Sequence, residues 1–214
     1  MPNDPARGPI RDQRVNAVLT RLQSEGRRHP RGGPLGDPQA SRDPFDYAEY
    51  GFSIVPEQGD LIYLLCRGLR TRRVAEFATS IGMSTLYFAA AIRDNGGGIG
   101  SELVPAKVRA ARDNLAEAGL AEYAEIREGD ARQTLCDLGG PVDFVLIDGW
   151  VVNAGPSLAR QVIEIVAPQI RLGGYVMNDN AEPDFLDFIR DPSSGFLSVT
   201  LPLKGGTELS VKVA

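Results

Sequence analysis

From residue 56 onward, short apolar runs typical of buried strands alternate with segments whose apolar residues recur at helical spacing. Strands are predicted at residues 73–77, 98–103, 123–128, 142–147, 174–177, 196–203 and 207–213. Helices are predicted before the first strand, at 57–69, and between the first five strands, at 84–93, 105–118, 131–138 and 155–167. The alternation predicts an α/β, Rossmann-like, doubly wound fold with a mostly parallel seven-stranded sheet covered on both faces. Lys204-Gly205-Gly206 separates the last two strands and predicts a hairpin that adds an antiparallel strand.

The first 43 residues differ in composition from the rest of the 214-residue chain, because they hold eight arginines, five acids and many prolines and glycines. We interpret residues 1–43 as a partly mobile N-terminal arm outside the main core, and residues 44–214 as one domain. Within the arm, a short amphipathic helix is predicted near residues 11–25 from the spacing of Val15, Val18, Leu19 and Leu22. This helix could pack on the body of the protein, or it could serve as a substrate lid or a dimer contact.

Overall composition argues against several classes of protein. A formal net charge of −5 gives no basic field for nucleic acid, and no apolar stretch approaches the roughly 18 residues of a membrane helix. The N-terminus has no apolar segment typical of a secretory signal. Cys66 and Cys136 form neither a disulfide scaffold nor a zinc motif, and His29 is the single histidine. We therefore expect a cytoplasmic protein with no nucleic-acid partner, no membrane partner and no histidine-dependent triad.

Acidic residues lie at or just after the ends of five predicted strands: Glu76, Glu102, Asp130, Asp148 and Asp179, the last paired with Asn180. Ligands of doubly wound sheets bind outside the carboxyl ends of the strands. Acids at that edge contribute little to core packing and are well placed for a ligand. The set predicts a ligand site along one edge of the sheet.

The first crossover, from Glu76 to Thr85, is rich in small residues that let the backbone approach a ligand, and Ser84 can cap the next helix. It lacks the dinucleotide fingerprint G-x-G-x-x-G, which argues against a nicotinamide oxidoreductase. An ordinary strand-to-helix turn is the alternative interpretation. Glu102 could accept both hydroxyls of a ribose or be a solvated loop acid, and Asp130 could accept from an adenine amino group or cap a helix.

Together these residues resemble the class I S-adenosylmethionine-dependent methyltransferases, and more narrowly the cation-dependent O-methyltransferases of the caffeoyl-CoA and catechol type. The resemblance begins near Phe52. It is carried by the segment 53–59, by Glu76…Gly82-Met83-Ser84-Thr85 in place of E-x-G-x-x-x-G-x-S-T, by Glu102, by Gly129-Asp130-Ala131, by Leu172-Gly173-Gly174 and by Asp179-Asn180. It implies an S-adenosylmethionine-dependent O-methyltransferase that acts on a hydroxyl of a small molecule, assisted by a divalent metal.

The resemblance also implies roles for single residues. Cofactor contacts are expected from Ser53, Glu76, Ala78, Thr79, Gly82, Ser84, Thr85, Glu102, Asp130, Ala131, Asp148 and Trp150. Asp148 would be the catalytic residue, and Asp148, Asp179 and Asn180 would hold Mg²⁺, for which three oxygen donors are suitable. A loop turn at Asp179-Asn180 and a helix cap at Asp148 are the alternatives. Aromatic residues at 45, 47, 50 and 52 and the loop 181–185 are expected to line the acceptor pocket, unless they pack in the core or at an interface.

Two positions depart from the family pattern. Ala78 replaces the first glycine of the crossover motif, and Val151 stands where the family has a lysine that is its proposed general base. Either the metal alone activates the acceptor, or another residue takes the proton, or catalysis is altered. A metal-independent small-molecule methyltransferase and a non-catalytic protein that retains the fold are therefore kept as alternative functions. Family members are often dimers, so we also expect a homodimer.

Overall fold

The computed structural model describes residues 8–26, 41, 43–48, 51, 53–93, 95, 99–102, 105–148 and 154–214. Side chains are described over the same ranges except at residues 99–102 and 105–106.

The strands form one sheet. They are β1 (Val74–Phe77), β2 (Ile99–Glu102), β3 (Glu125–Glu128), β4 (Val142–Ile147), β5 (Ile170–Asn178), β6 (Phe196–Leu201) and β7 (Thr207–Lys212). Their order across the sheet is β3-β2-β1-β4-β5-β7-β6. Neighbours from β3 to β5 pair in parallel, whereas β7 pairs antiparallel with both β5 and β6. The α/β, Rossmann-like architecture and the antiparallel C-terminal hairpin strand are confirmed.

Helices cover both faces of the sheet. They are α1 (Gln13–Gly26), α2 (Pro56–Leu69), α3 (Met83–Arg93), α4 (Pro105–Glu117), α5 (Ala131–Thr134), α6 (Leu158–Val166) and α7 (Pro183–Ile189). Side chains of α1 to α4 pack with one face, and those of α5 to α7 pack with the other. Successive strand residues alternate between the two cores, since Leu146 lies in the first and Ile147 in the second. Within the described part of the chain, no helix has both the length and the apolar character needed to span a bilayer.

The N-terminal helix lies in the main core, so the expectation that residues 1–43 lie outside it is wrong for α1. Its four predicted apolar residues, Val15, Val18, Leu19 and Leu22, are all at most 2% exposed. An ion pair of 2.6 Å between Asp12 and Arg93 fixes its start against α3. The apolar stripe therefore has a partner within the same chain, which is the first of the two interpretations. The boundary between residues 43 and 44 stays a prediction.

Differences from the sequence prediction include the start of β5, the length of α5 and the presence of α7. Strand β5 begins at Ile170, four residues earlier than predicted, and continues through Gly173 at φ 75°. A register irregularity between Val142 and Phe144 of β4 accompanies this start. Helix α5 has only four residues instead of eight, and α7 was not predicted. The glycine pair hides the strand pattern, and Pro183 suits the first turn of a short helix as well as it suits a loop.

Candidate functional site

The carboxyl ends of β1, β4 and β5 lie side by side at one edge of the sheet. Phe77 pairs with Ile147, and the Asp148 N–H then donates to the Phe77 carbonyl at 3.3 Å. The Asp179 N–H donates in the same way to the Ile147 carbonyl at 2.9 Å. Ala78, Asp148 and Asp179 each follow their strand directly. The parallel register therefore brings together residues that are far apart in sequence.

The remaining two strand ends continue this edge on the other side of β1. Glu102 is the last residue of β2 and pairs with Glu128 of β3, and Asp130 follows two residues later. The Glu102 side chain is outside the described residues, so its proposed contact with ribose stays a prediction. Its backbone position at the edge agrees with the sequence expectation.

Glu76 is 1% exposed and is enclosed by hydroxyl groups of its own crossover. Its carboxylate accepts hydrogen bonds from Thr79 Oγ1 at 2.9 Å, from Thr85 Oγ1 at 2.5 Å and from Ser84 Oγ. Hydrogen bonds to a charged group are stronger than neutral ones. The described contacts of Glu76 thus fix the crossover that leads into α3, and direct contact between these four residues and a cofactor stays a prediction.

The crossover has a backbone that favours glycine at three positions. Ala78 has φ 65°, Ser80 has φ 52° and Gly82 has φ 88°. A Cβ atom at Gly82 would lie 3.2 Å from both Cα and Cβ of Ala111 in α4. The left-handed conformation of Ala78 explains why the family pattern has glycine there, since alanine is strained in this region. Strained backbone of this kind is typical of functional sites.

Asp130 caps α5, as its alternative interpretation proposed. Its carboxylate accepts from the Arg132 N–H at 2.9 Å and pairs with the Arg132 guanidinium at 2.5 Å. The side-chain hydrogen bond from Arg132 lowers the pKa of Asp130. Ala131, the first residue of the helix, is buried. The cap does not prevent the predicted contact with adenine, because a carboxylate has lone pairs for several hydrogen-bond donors.

Asp148, Asp179 and Asn180 converge at the ends of β4 and β5. Asn180 Nδ2 donates to Asp148 Oδ1 at 3.2 Å. Burial, the nearby Asp179 charge and a hydrogen bond with Asp179 raise the pKa of the Asp148 carboxyl to about 8. Asp179 itself is 1% exposed. The prediction that these three residues lie together is met by the geometry, while their role as metal ligands needs a separate test.

Both oxygens of Asp179 already have partners that the sequence analysis did not identify. Gln58 Nε2 donates to Oδ1, and Lys204 Nζ forms an ion pair with Oδ2. Gln58 also accepts from the Val55 N–H at 2.9 Å and donates to Thr207 Oγ1 at 2.8 Å. The sequence signal that could have identified Gln58 is a glutamine in the first turn of the helix that begins at Pro56, where a capping role is typical. Lys204 gave no such signal, because its turn was interpreted only as a hairpin.

Lys204 enters the site from the turn between β6 and β7. Its Nζ also lies 3.4 Å from the carbonyl oxygen of Ser53, a residue predicted to contact the cofactor. Burial alone would lower the pKa of Lys204, but the Asp148 and Asp179 carboxylates outweigh it and raise this pKa. The amine is therefore a stable ammonium in this structure.

These residues, as they are arranged, do not fit a divalent cation. Such an ion needs several oxygen donors that converge on it, and a lysine ammonium placed against the same carboxylate competes with it electrostatically. Here a lysine ammonium and a glutamine amide take one oxygen each of Asp179, and the Asn180 amide donates to Asp148. Among the described residues, no group of three or more His, Cys, Asp or Glu side chains is arranged to hold a metal.

The expected acceptor pocket is described only in part. Trp150, Val151, Tyr50 and Phe52 lie outside the described residues. Phe45 is 53% exposed, whereas Tyr47 is buried and donates its hydroxyl hydrogen to the Ser41 carbonyl at 3.1 Å. Phe185 is fully buried in the core beneath α7, so packing is the correct interpretation for it.

A comparison with protein families covers the residues at this edge of the sheet. Residues 76–181, from Glu76 to just beyond Asp179 and Asn180, match the model of a methyltransferase domain. The region similar to a methyltransferase domain thus spans 106 of the 214 residues and contains all five strand-end acids. The resemblance to class I S-adenosylmethionine-dependent O-methyltransferases is confirmed by this match and by the relatives that follow.

Two curated relatives are catechol O-methyltransferases. The protein from Mycobacterium tuberculosis is 32% identical over 143 residues, which are 62% of this chain and 63% of the relative. The protein from Niastella koreensis is 30% identical over 143 residues, or 60% of this chain and 63% of the relative. The chain thus spans less than two thirds of the length of these relatives.

Solved structures agree with the fold. An O-methyltransferase from Bacillus cereus, crystallised with S-adenosylhomocysteine, superposes with a TM-score of 0.67 at 20% identity. The match covers 94% of this chain and 91% of that protein, so it includes the methyltransferase domain and its flanking elements.

Proposed function

We propose that this protein transfers a methyl group from S-adenosylmethionine to a hydroxyl group of a small molecule. The observation that carries the proposal is the register of β1, β4 and β5, which aligns Ala78, Asp148 and Asp179 at the edge where such folds bind ligands. Catechol O-methyltransferases among the relatives support a hydroxyl acceptor.

The cofactor would lie along the crossover after β1. Small residues and the left-handed backbone of Ala78 and Gly82 would let a ligand approach the main chain closely there. Glu102 would accept from the ribose hydroxyls, and Asp130 from the adenine amino group. The hydroxyl cluster around Glu76 holds this loop in its conformation, which supports a preformed site.

Asp148 would act on the acceptor. When bound, S-adenosylmethionine supplies a methyl group on a sulfonium sulfur. The methyl group would pass to the acceptor oxygen, and Asp148 would take the hydroxyl proton in its carboxylate form, which a pKa of about 8 makes available from mildly alkaline pH. Asn180, which donates to Asp148 at 3.2 Å, orients the carboxyl group.

Metal assistance by Asp148, Asp179 and Asn180 was the first expectation from the sequence, with a metal-independent enzyme as its alternative. The ion pair between Lys204 and Asp179 favours the metal-independent form. A bound divalent ion would have to displace this ammonium.

The test is methyl transfer from labelled S-adenosylmethionine to a panel of phenols, alcohols and diols, with and without EDTA. Binding of S-adenosylhomocysteine is measured by calorimetry on the same samples. We expect binding and transfer, both surviving EDTA. Binding without any transfer would instead support the non-catalytic alternative, and absence of both would refute the proposal.

Assembly and location remain parts of the proposal. We expect a homodimer, which sedimentation equilibrium would measure. A cytoplasmic location is supported by Cys66 and Cys136, which are both free thiols. Fractionation of cells expressing a tagged full chain would test it.

A further inference from the structure

The ammonium of Lys204 occupies the position at which a cation would face Asp179. Asp179 is 1% exposed, and its ion pair with Lys204 lies at the end of β5 beside Asp148. Burying a carboxylate without a balancing positive charge is costly. The chain itself therefore supplies a positive charge at the sheet edge.

The turn that carries Lys204 is held firmly. The Gly206 N–H donates to the Leu203 carbonyl at 2.8 Å, and Thr207 Oγ1 donates to the same carbonyl at 3.2 Å. Thr207 is fully buried and accepts from Gln58 at 2.8 Å. These contacts fix the turn against α2, so the position of Lys204 does not depend on its ion pair alone.

The backbone of Lys204 is itself in a rare conformation. Its φ of 49° lies in the left-handed region, which residues other than glycine seldom adopt. Such a conformation persists where the surrounding structure determines it, and it is typical of functional positions. The turn thus directs a long cationic side chain toward Asp179 and Ser53.

We propose that the Lys204 ammonium takes the place of a divalent cation at this site, an inference that rests on the proposed methyl transfer. The ammonium balances the negative charge of Asp179 and donates a hydrogen bond to the acceptor oxygen. An ammonium has three N–H groups. Asp179 Oδ2 and the Ser53 carbonyl accept two of them. Among the described residues the third N–H has no hydrogen-bond acceptor, and we assign it to the methyl acceptor.

This arrangement sets the class of acceptor. A bound divalent cation offers several open positions and can hold two vicinal oxygens at once. One N–H group of a lysine holds a single oxygen. The site therefore needs only a single hydroxyl, as in a monophenol, and gains nothing from a neighbouring second hydroxyl.

Binding of Mn²⁺, measured by electron paramagnetic resonance, tests whether Lys204 replaces a divalent cation. The measurement needs no methyl acceptor. The samples are the full-length wild type, Lys204→Met, and Lys212→Met as a matched control. Lys212 lies at the far end of β7, where its Nζ donates to the Ala167 carbonyl at 2.8 Å. We expect no stoichiometric Mn²⁺ binding by the wild type or by K212M. K204M should bind one Mn²⁺ at least about tenfold more tightly than the wild type does, because the substitution removes a positive charge beside Asp179.

Two further variants make the result decisive. Asp179→Asn combined with K204M should abolish the new Mn²⁺ site, and Lys204→Arg, which keeps the charge, should not bind the ion. Stoichiometric Mn²⁺ binding by the wild type that is lost in D179N would overturn the inference, as would a folded K204M without any gain. If K204M does not fold, the wild type and K204R decide the question.

The readout separates this inference from the proposed function. A wild type that does not bind S-adenosylhomocysteine contradicts the proposed function, while the Mn²⁺ comparison still reports on Lys204. In the transfer assay, we expect equal rates with a monophenol and the corresponding catechol. A rate that requires added Mg²⁺ and a vicinal diol would overturn the role of Lys204.

Discussion

Gly82→Ala tests whether the crossover after β1 requires its backbone conformation. At φ 88°, an alanine incurs about 1–2 kcal/mol of backbone strain. Its Cβ would also lie 3.2 Å from the Ala111 Cα, and crowding against backbone in a packed interior costs about 1–3 kcal/mol. Reduced freedom of the unfolded chain recovers about 0.4–1 kcal/mol. We therefore expect the free energy of unfolding to fall by about 2–4 kcal/mol.

Urea denaturation followed by circular dichroism measures this loss, with Gly68→Ala as the matched control. Gly68 lies in α2, and a Cβ there meets nothing within 4 Å. G68A should raise the free energy of unfolding by about 0.5–1 kcal/mol, as expected for glycine in a helix. A loss below about 1 kcal/mol in G82A would refute the reasoning from strain and contact.

The same variant links the fold to the site. Because α3 begins directly after Gly82, relief of the contact with Ala111 must move the crossover. We expect weaker binding of S-adenosylhomocysteine to folded G82A, and unchanged binding to G68A, by calorimetry. Unchanged binding to G82A would show that the cofactor does not use this loop.

Three other predictions concern single side chains. Ala78→Gly should raise the free energy of unfolding by about 0.5–1 kcal/mol in urea titrations, because it relieves the strain at φ 65°; a loss of stability would contradict this. Asp148 has a pKa raised to about 8, so its contribution to stability is complete below the unfolded pKa near 4 and is lost as the pH rises through 8. Thermal melts from pH 5 to 9 should therefore show a smaller decline for Asp148→Asn, and equal declines would argue against the shift. Arg190→Ala removes the guanidinium that pairs with the buried Glu208 carboxylate at 2.7 Å. We expect the free energy of unfolding in urea titrations to fall by about 2–3 kcal/mol, less than for a fully enclosed ion pair because Arg190 is half exposed. A fall of less than about 1 kcal/mol would contradict this expectation.

Much of the fold follows from local sequence patterns. The strand Val142–Ile147 was predicted with its observed ends, because six consecutive residues suit a strand buried on both faces. Helix α7 could not be predicted in this way, since Pro183 and its acidic neighbours are equally typical of a turn. Packing of α1 on the body of the protein was one of two interpretations, because composition alone does not show which surface an amphipathic helix covers.

The site was predictable as far as strand register determines it. Asp148, Asp179 and Asn180 converge because the ends of parallel neighbours meet at one edge. The partners of Asp179 could not be predicted, since Lys204 and Gln58 reach it through tertiary packing of a hairpin and a helix. The hydrogen-bond partners of Glu76 could not be predicted either. Hydroxyl groups of its own crossover donate to its carboxylate, and the sequence pattern does not show whether such groups or a ligand would do so.

The carboxamide of Gln58 has a consequence for how this protein can change. It joins the start of α2, the end of β5 and the terminal hairpin through Val55, Asp179 and Thr207. A shift in any one of these stretches is transmitted to the other two without passing through the sheet. We therefore expect that laboratory evolution of the proposed methyl transfer toward new acceptors accumulates substitutions in the last dozen residues of the chain.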